Sequence, residues 1–350
     1  MKQSKKIILA LSLVLTCSAV SAQTDENAYL RMKVDSLERV IRNIRRSNRQ
    51  TGMSTLSQTT KEQGGHYTRT GYYDTLGNLD DDPVEGEIQT TNMKSSGKYD
   101  DVNFFSFPYE NRIDEILETS INAQSKIWSG ILGRWLRYRD SIEKYFIQKG
   151  LPKELAMLCV IESGCSAKAR SNADAAGFWQ FMPYTAQDLG LRVDGIVDER
   201  LDVDKSTAAA VKFITSAYKR MNSWDAAIAS YNWGTGNIER VRQQYGNDIT
   251  GWYDHIPEET KSYLPALIAA LWLANHYQEV RIIPSSGPED VVAIRVTYDI
   301  SFTDISGITG IPVAELQRQN PQYIQGVIPG SEGTYYLKAN ARYKNNLYKL

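Results

Sequence analysis

Three histidines and three cysteines are few for a chain of 350 residues. His66, His255 and His276 are widely separated and lack the spacing of metal ligands, so no metal site and no cofactor is expected. Cys17, Cys159 and Cys165 are too few for a disulfide scaffold. An oxidising compartment would permit a bond, but Cys159 points toward a core and the pair brackets a helix end. The favoured reading is one buried small hydrophobe and one incidental thiol. An excess of one charge is also missing: 40 Lys and Arg meet 41 Asp and Glu for a net charge of −1, which excludes the basic surface of a nucleic-acid partner. Long apolar runs are scarce. The run from Pro265 to Ala274 is apolar all round but too short for a bilayer, and reads as a buried central helix.

What is present is globular: 42% hydrophobic and 23% charged residues, enough for two domains. Lys2, Lys5 and Lys6 precede an apolar run from Ile7 to Leu15, and Val20-Ser21-Ala22 offers small residues before Gln23. Residues 1–22 therefore read as an export signal whose removal takes the charge from −1 to −4. This points to an exported bacterial-type protein. A lipoprotein modified at Cys17 is the rival, and Thr16 before it is a poor match.

Residues 29–48 carry Leu30, Val34, Leu37, Ile41 and Ile44 among many charges, an amphipathic helix suited to self-association or an envelope partner. Residues 49–100 are rich in Ser, Thr, Gly, Asn and Asp and cannot build a core. The span 23–101 is thus read as a short helix and a tether. Helical patterns then follow at 111–125, 126–148, 152–163, 184–190, 204–221, 224–231, 235–245 and 260–278, without a βαβ rhythm, which makes 102–284 an all-α domain. After Pro284, a strand at 291–298, helices at 302–309 and 313–319, and a strand at 334–338 make a small β-α-α-β unit, placed at 289–340.

The stretch PKELAMLCVIESG, residues 152–164, ends an apolar run on a carboxylate. On a helix, Glu162 shares a face with Leu155, Leu158 and Cys159. An acid half-buried there is costly unless it is paired or stays protonated. Farther on stand Gly177-Phe-Trp-Gln-Phe-Met-Pro183, Ser230-Tyr-Asn-Trp-Gly234 and Glu259-Thr-Lys-Ser-Tyr263. Aromatic rings beside neutral hydrogen-bonding groups suit a glycan. Singly, Trp179, Trp233 and Tyr263 read as core aromatics, Glu162 as a paired structural acid, and Asp198-Glu-Arg-Leu-Asp202 as a salt-bridge turn.

As a set, residues 103–280 resemble the lysozyme-like domain of soluble-lytic-transglycosylase type, nearest the membrane-bound lytic murein transglycosylase D group. Glu162-Ser163 is followed by Ser171, then Gly177 to Pro183, then Tyr231-Asn232, then Glu259-Thr260 and Tyr263. The group usually has Gly-Ala where this chain has Asp174-Ala175, which leaves that loop open and adds a charge near the groove. Residues 291–338 resemble a degenerate LysM module, a type that binds N-acetylglucosamine glycans.

The resemblance implies a mainly α protein that cleaves peptidoglycan between N-acetylmuramic acid and N-acetylglucosamine. Glu162 would act as acid and then as base, leaving a 1,6-anhydro end. It also implies substrate contacts from Ser163, Ser171, Gly177, Trp179, Gln180, Phe181, Tyr231 and Asn232. Tyr263 would support the acid or the substrate. Rival readings are a hydrolysing muramidase, with Asp174 or Asp198 as second carboxylate, and an inactive glycan-binding scaffold.

Overall fold

The computed structural model describes residues 110–350. The expected export signal, the helix at 29–48 and the tether lie outside the described residues. The helical part opens with α1 (Glu110–Ala123) and α2 (Ser125–Gln148). Along α2, Trp128, Ile131, Leu132, Trp135, Ile142, Tyr145 and Phe146 are buried at helical spacing, one stripe facing the core. The expected helix at 152–163 is divided into a 3-10 turn, Lys153–Met157, and the short α3, Leu158–Ser163. Nearly every residue there is buried, and the tighter turn packs against α2. α4 (Pro183–Asp188), α5 (Val203–Met221), α6 (Trp224–Trp233), α7 (Thr235–Tyr245), α8 (Ile249–Trp252) and α9 (Glu258–His276) complete the bundle.

Asp202 caps α5 by accepting from the amides of Asp204 and Lys205, and Ser223 caps α6 through the amide of Ala226. α9 is the central helix, buried nearly all round and packed on α1, α6 and α3. It tolerates Pro265 in its interior because the carbonyl four residues back, on Lys261, receives the Tyr253 hydroxyl instead of a backbone amide. No helix among the described residues is long and apolar enough to cross a membrane.

The C-terminal unit has two more strands than β-α-α-β. β1 (Val291–Val296) pairs antiparallel with β4 (Tyr335–Asn340), Val291 opposite Asn340 and Val296 opposite Tyr335. β2 (Asp299–Ser301) pairs with β3 (Val327–Pro329), flanking α10 (Phe302–Thr309) and α11 (Val313–Gln319); a last turn, α12, spans Lys344–Leu347. Asn320 is fully buried and replaces a strand partner, donating to the Lys338 carbonyl and accepting from its amide at 2.7 and 2.8 Å.

The two units share a core and a ladder. Val197, from the helical part, sits in the C-terminal core and bridges to Tyr323. The amide of Asp198 donates to Gln322 and that of Ile324 to Ile196. Lys338 reaches across to Asp202 at 2.9 Å and Asp204 at 2.6 Å, all three buried. Burial alone would pull the Lys338 ammonium down, but the two carboxylates push it well above the usual range.

Candidate active site

Glu162 stands on the last turn of α3, just before Gly164 ends the helix in the left-handed region at φ 58°. Arg134 of α2 donates to the Gly164 carbonyl at 2.7 Å, satisfying one of the orphan acceptors at that helix end. Two tyrosines flank the carboxyl. The Tyr263 hydroxyl of α9 donates to Oε1 of Glu162. Tyr231 of α6 is pushed well above its usual range by burial and, second, by the charge of Glu162. Glu162 is half-buried by its surface, yet protein atoms crowd its carboxyl. Burial pushes the group up to about 8, with the Tyr263 hydrogen bond opposing and the nearby charge of Glu259 adding to the rise. At neutral pH it therefore holds its proton.

The segment Gly177 to Phe181 forms the adjoining wall, and its shape follows from a few contacts. Gly177 has φ 81°, and a Cβ there would lie 1.8 Å from the Arg200 carbonyl oxygen, so no other residue fits. Trp179 is fully buried, stacks on Phe146 of α2 and donates through Nε1 to the Thr207 hydroxyl at 2.9 Å. Arg200 clamps the loop from below, donating to the carbonyls of Asp174 (2.6 Å) and Phe181 (3.1 Å) while forking onto Asp198.

Several expected contacts change role once placed. Ser163 is buried and donates to the Phe178 carbonyl at 2.8 Å, tying α3 to the wall. Gly177, Trp179 and Phe181 are buried as well, and Phe181 packs on the Tyr231 ring. All four are buried and build the wall. The half-buried rim consists of Ser171, Gln180, Tyr231 and Asn232.

The bonds each rim residue makes determine what it has left to offer. Ser171 accepts from the Ala175 amide, so its own hydrogen remains to be given. Gln180, at φ 51°, spends its amide hydrogens on the carbonyls of Gly177 and Ala169 and keeps its oxygen as an acceptor. Tyr231 donates to the Trp179 carbonyl and keeps its lone pairs. Asn232 accepts from the Thr260 hydroxyl and hydrogen-bonds Glu259.

The loop at Asp174 is also defined. Asp174 takes φ 65°, the conformation that glycine would supply, and its charge is met by Arg170 at 3.1 Å and Arg200 at 3.8 Å. Asp198 is held by Arg170 and Arg200 and is buried. Neither is therefore set to serve as a second carboxylate. Glu259 is half-buried, raised by burial against the Asn232 hydrogen bond, and lies one helical turn before Tyr263. The i, i+4 spacing of Glu259 and Tyr263 was the signal for it in the sequence. Arg200 and Arg134 left no such signal. Among the described residues, no cluster of His, Cys, Asp and Glu is arranged to hold a metal.

Residues 141–251 match the transglycosylase SLT domain, and residues 290–338 match the LysM-like domain of the lytic transglycosylase MltD. The chain is 26% identical over 206 residues to the membrane-bound lytic murein transglycosylase D of Escherichia coli (strain K12), covering 57% of this chain and 45% of that protein. It is 38% identical over 95 residues to a protein of Alteromonas sp. (strain M-1) named for tributyltin chloride resistance, covering 27% of this chain and 46% of that one. The chain thus spans less than half the length of these relatives. Two segments of the chain thus match a transglycosylase SLT domain and, after it, a LysM-like domain of the MltD type.

Proposed function

We propose that this protein is a peptidoglycan lytic transglycosylase with Glu162 as its catalytic acid and base. The observation that carries this is one carboxyl, kept protonated by burial and gripped on Oε1 by Tyr263, at the head of a half-buried rim of neutral hydrogen-bonding groups. With Oε1 engaged, the transferable proton belongs on Oε2. It passes to the glycosidic oxygen as the bond from N-acetylmuramic acid C1 breaks, and the N-acetyl oxygen steadies C1. Glu162, now a carboxylate, takes the proton from the sugar's C6 hydroxyl, whose oxygen closes onto C1. No water is consumed, and the acid ends protonated as it began.

Residues 102–284 are taken as the catalytic unit, and Ser171, Gln180, Tyr231 and Asn232 as the groups that orient the sugar. Residues 289–340 are taken as a module that contacts glycan strands. Export through residues 1–22, action in the periplasm or at the outer membrane, and self-association or an envelope partner through residues 29–48 belong to the same reading. The hydrolysing alternative needs a group to activate water, and Glu259 is the carboxylate to test for it. A scaffold alternative has no use for an acid held protonated.

A zymogram on embedded cell walls tests the proposal. Clearing by the parent chain, lost in Glu162→Gln, is expected. Clearing by both, or by neither, would overturn it.

A further inference from the structure

Cys159 and Cys165 flank Glu162 by three residues on either side. Their Sγ atoms lie 3.1 Å apart, both side chains are buried, and the Cys165 amide donates to the Cys159 carbonyl at 3.0 Å. The sequence reading set the pair aside as a small hydrophobe and an incidental thiol. The turn through Gly164 overturns the reason for that: two successive residues with positive φ, 58° and 57°, fold the chain back so that Cys165 returns to the helix face of Cys159.

We propose that Cys159 and Cys165 form an intrachain disulfide that closes the turn carrying Glu162. The sulfurs need approach only about 1 Å further to reach bonding distance, and the backbone hydrogen bond already holds the two main chains together. Left-handed conformation at a non-glycine residue such as Cys165 is disfavoured, and α3 is too short to hold itself. A covalent tie across that turn would fix both, and with them the direction of the carboxyl between.

The oxidant required is a low-molecular-weight or protein disulfide. One cysteine thiolate attacks it, releasing one thiol and forming a mixed disulfide. The second cysteine thiolate then attacks the protein sulfur of that bond and releases the other thiol. Two protein thiols are oxidised by two electrons, one external disulfide is reduced to two thiols, and the cysteine protons leave with them. The timing follows from burial, which pushes the Cys159 thiol well above its usual range and removes the thiolate that exchange needs. The bond therefore forms while the chain folds, and once folded the pair is slow to exchange in either direction.

The test is to refold the full chain from denaturant in a mixture of reduced and oxidised glutathione, and separately with excess reductant. Trypsin cuts after Lys153 and Lys168 and leaves both cysteines in one peptide, apart from Cys17. The glutathione sample should give that peptide lighter by two hydrogen atoms and inert to alkylation, and its melting temperature should exceed that of the reduced sample by about 5 °C. A Cys159→Ala/Cys165→Ala double variant should melt at one temperature in both conditions. Complete alkylation of both cysteines in the glutathione sample would overturn the proposal. So would a melting difference that persists in the double variant. The effect on the site rests on the assignment of Glu162, and is read separately as slower thermal loss of cleavage in the oxidised chain. The bond itself is scored by mass, so the two can fail independently.

Discussion

The hydroxyl of Tyr263 donates to Oε1 of Glu162 across 101 residues of sequence, joining the central helix to the short helix that carries the acid. This hydrogen bond favours the carboxylate and works against the burial that raises it. Tyr263→Phe should therefore move Glu162 upward from about 8. The falling limb of kcat/KM on the alkaline side should shift to higher pH, and the rate at neutral pH should drop roughly tenfold as the carboxyl loses its anchor. A lower rate with an unmoved limb would mean that Tyr263 only packs.

Glu162 should also set a pH dependence of stability. Its ordinary value is 4.5 and its folded value about 8, so between them the folded chain keeps a proton that the unfolded chain releases. Stability contributed at this site is therefore lost as pH rises through that window. Glu162→Gln has no proton to lose. Its melting temperature should exceed that of the parent by a margin that widens from about pH 5 and levels off above about pH 8. Melting curves across that range check the sign.

Gly177→Ala should damage the fold together with the site. The added methyl would meet the Arg200 carbonyl, which is backbone fixed by its own clamp on Asp198. A cost of about 3 kcal/mol or more is expected, read as a lower midpoint in denaturant.

Lys338→Met should uncouple the two units. It leaves Asp202 and Asp204 buried without their cation, and Asp202 also caps α5. Removing one member of such a buried group costs about 3–5 kcal/mol. Two unfolding transitions where the parent shows one would show that the shared core and ladder do not hold the units together without the ion triad.

Much of this was legible in the sequence because the signals were local. The helical pattern of α2 and the carboxylate closing an apolar run each depend on residues within a turn or two of one another. Glu162 could be picked out for that reason. The buried positions of Ser163, Trp179 and Phe181 could not, since a serine or an aromatic reads alike whether it faces a ligand or a core. What decided them were partners far along the chain: Thr207 for Trp179 and the Phe178 carbonyl for Ser163. Arg200 was hidden for the same reason. A charged residue inside an acidic turn gives no sign that it will clamp two loop carbonyls. The contact between Cys159 and Cys165 depended on left-handed backbone at a cysteine, which no propensity anticipates.

The central claim is that Glu162 alone supplies acid and base, so that the sugar closes on itself. The direct measurement is mass spectrometry of the muropeptides released from purified peptidoglycan by the parent chain and by Glu162→Gln. Products one water lighter than those with reducing ends, absent with the variant, are predicted. Ordinary reducing ends from the parent chain would contradict the account and turn attention to Glu259.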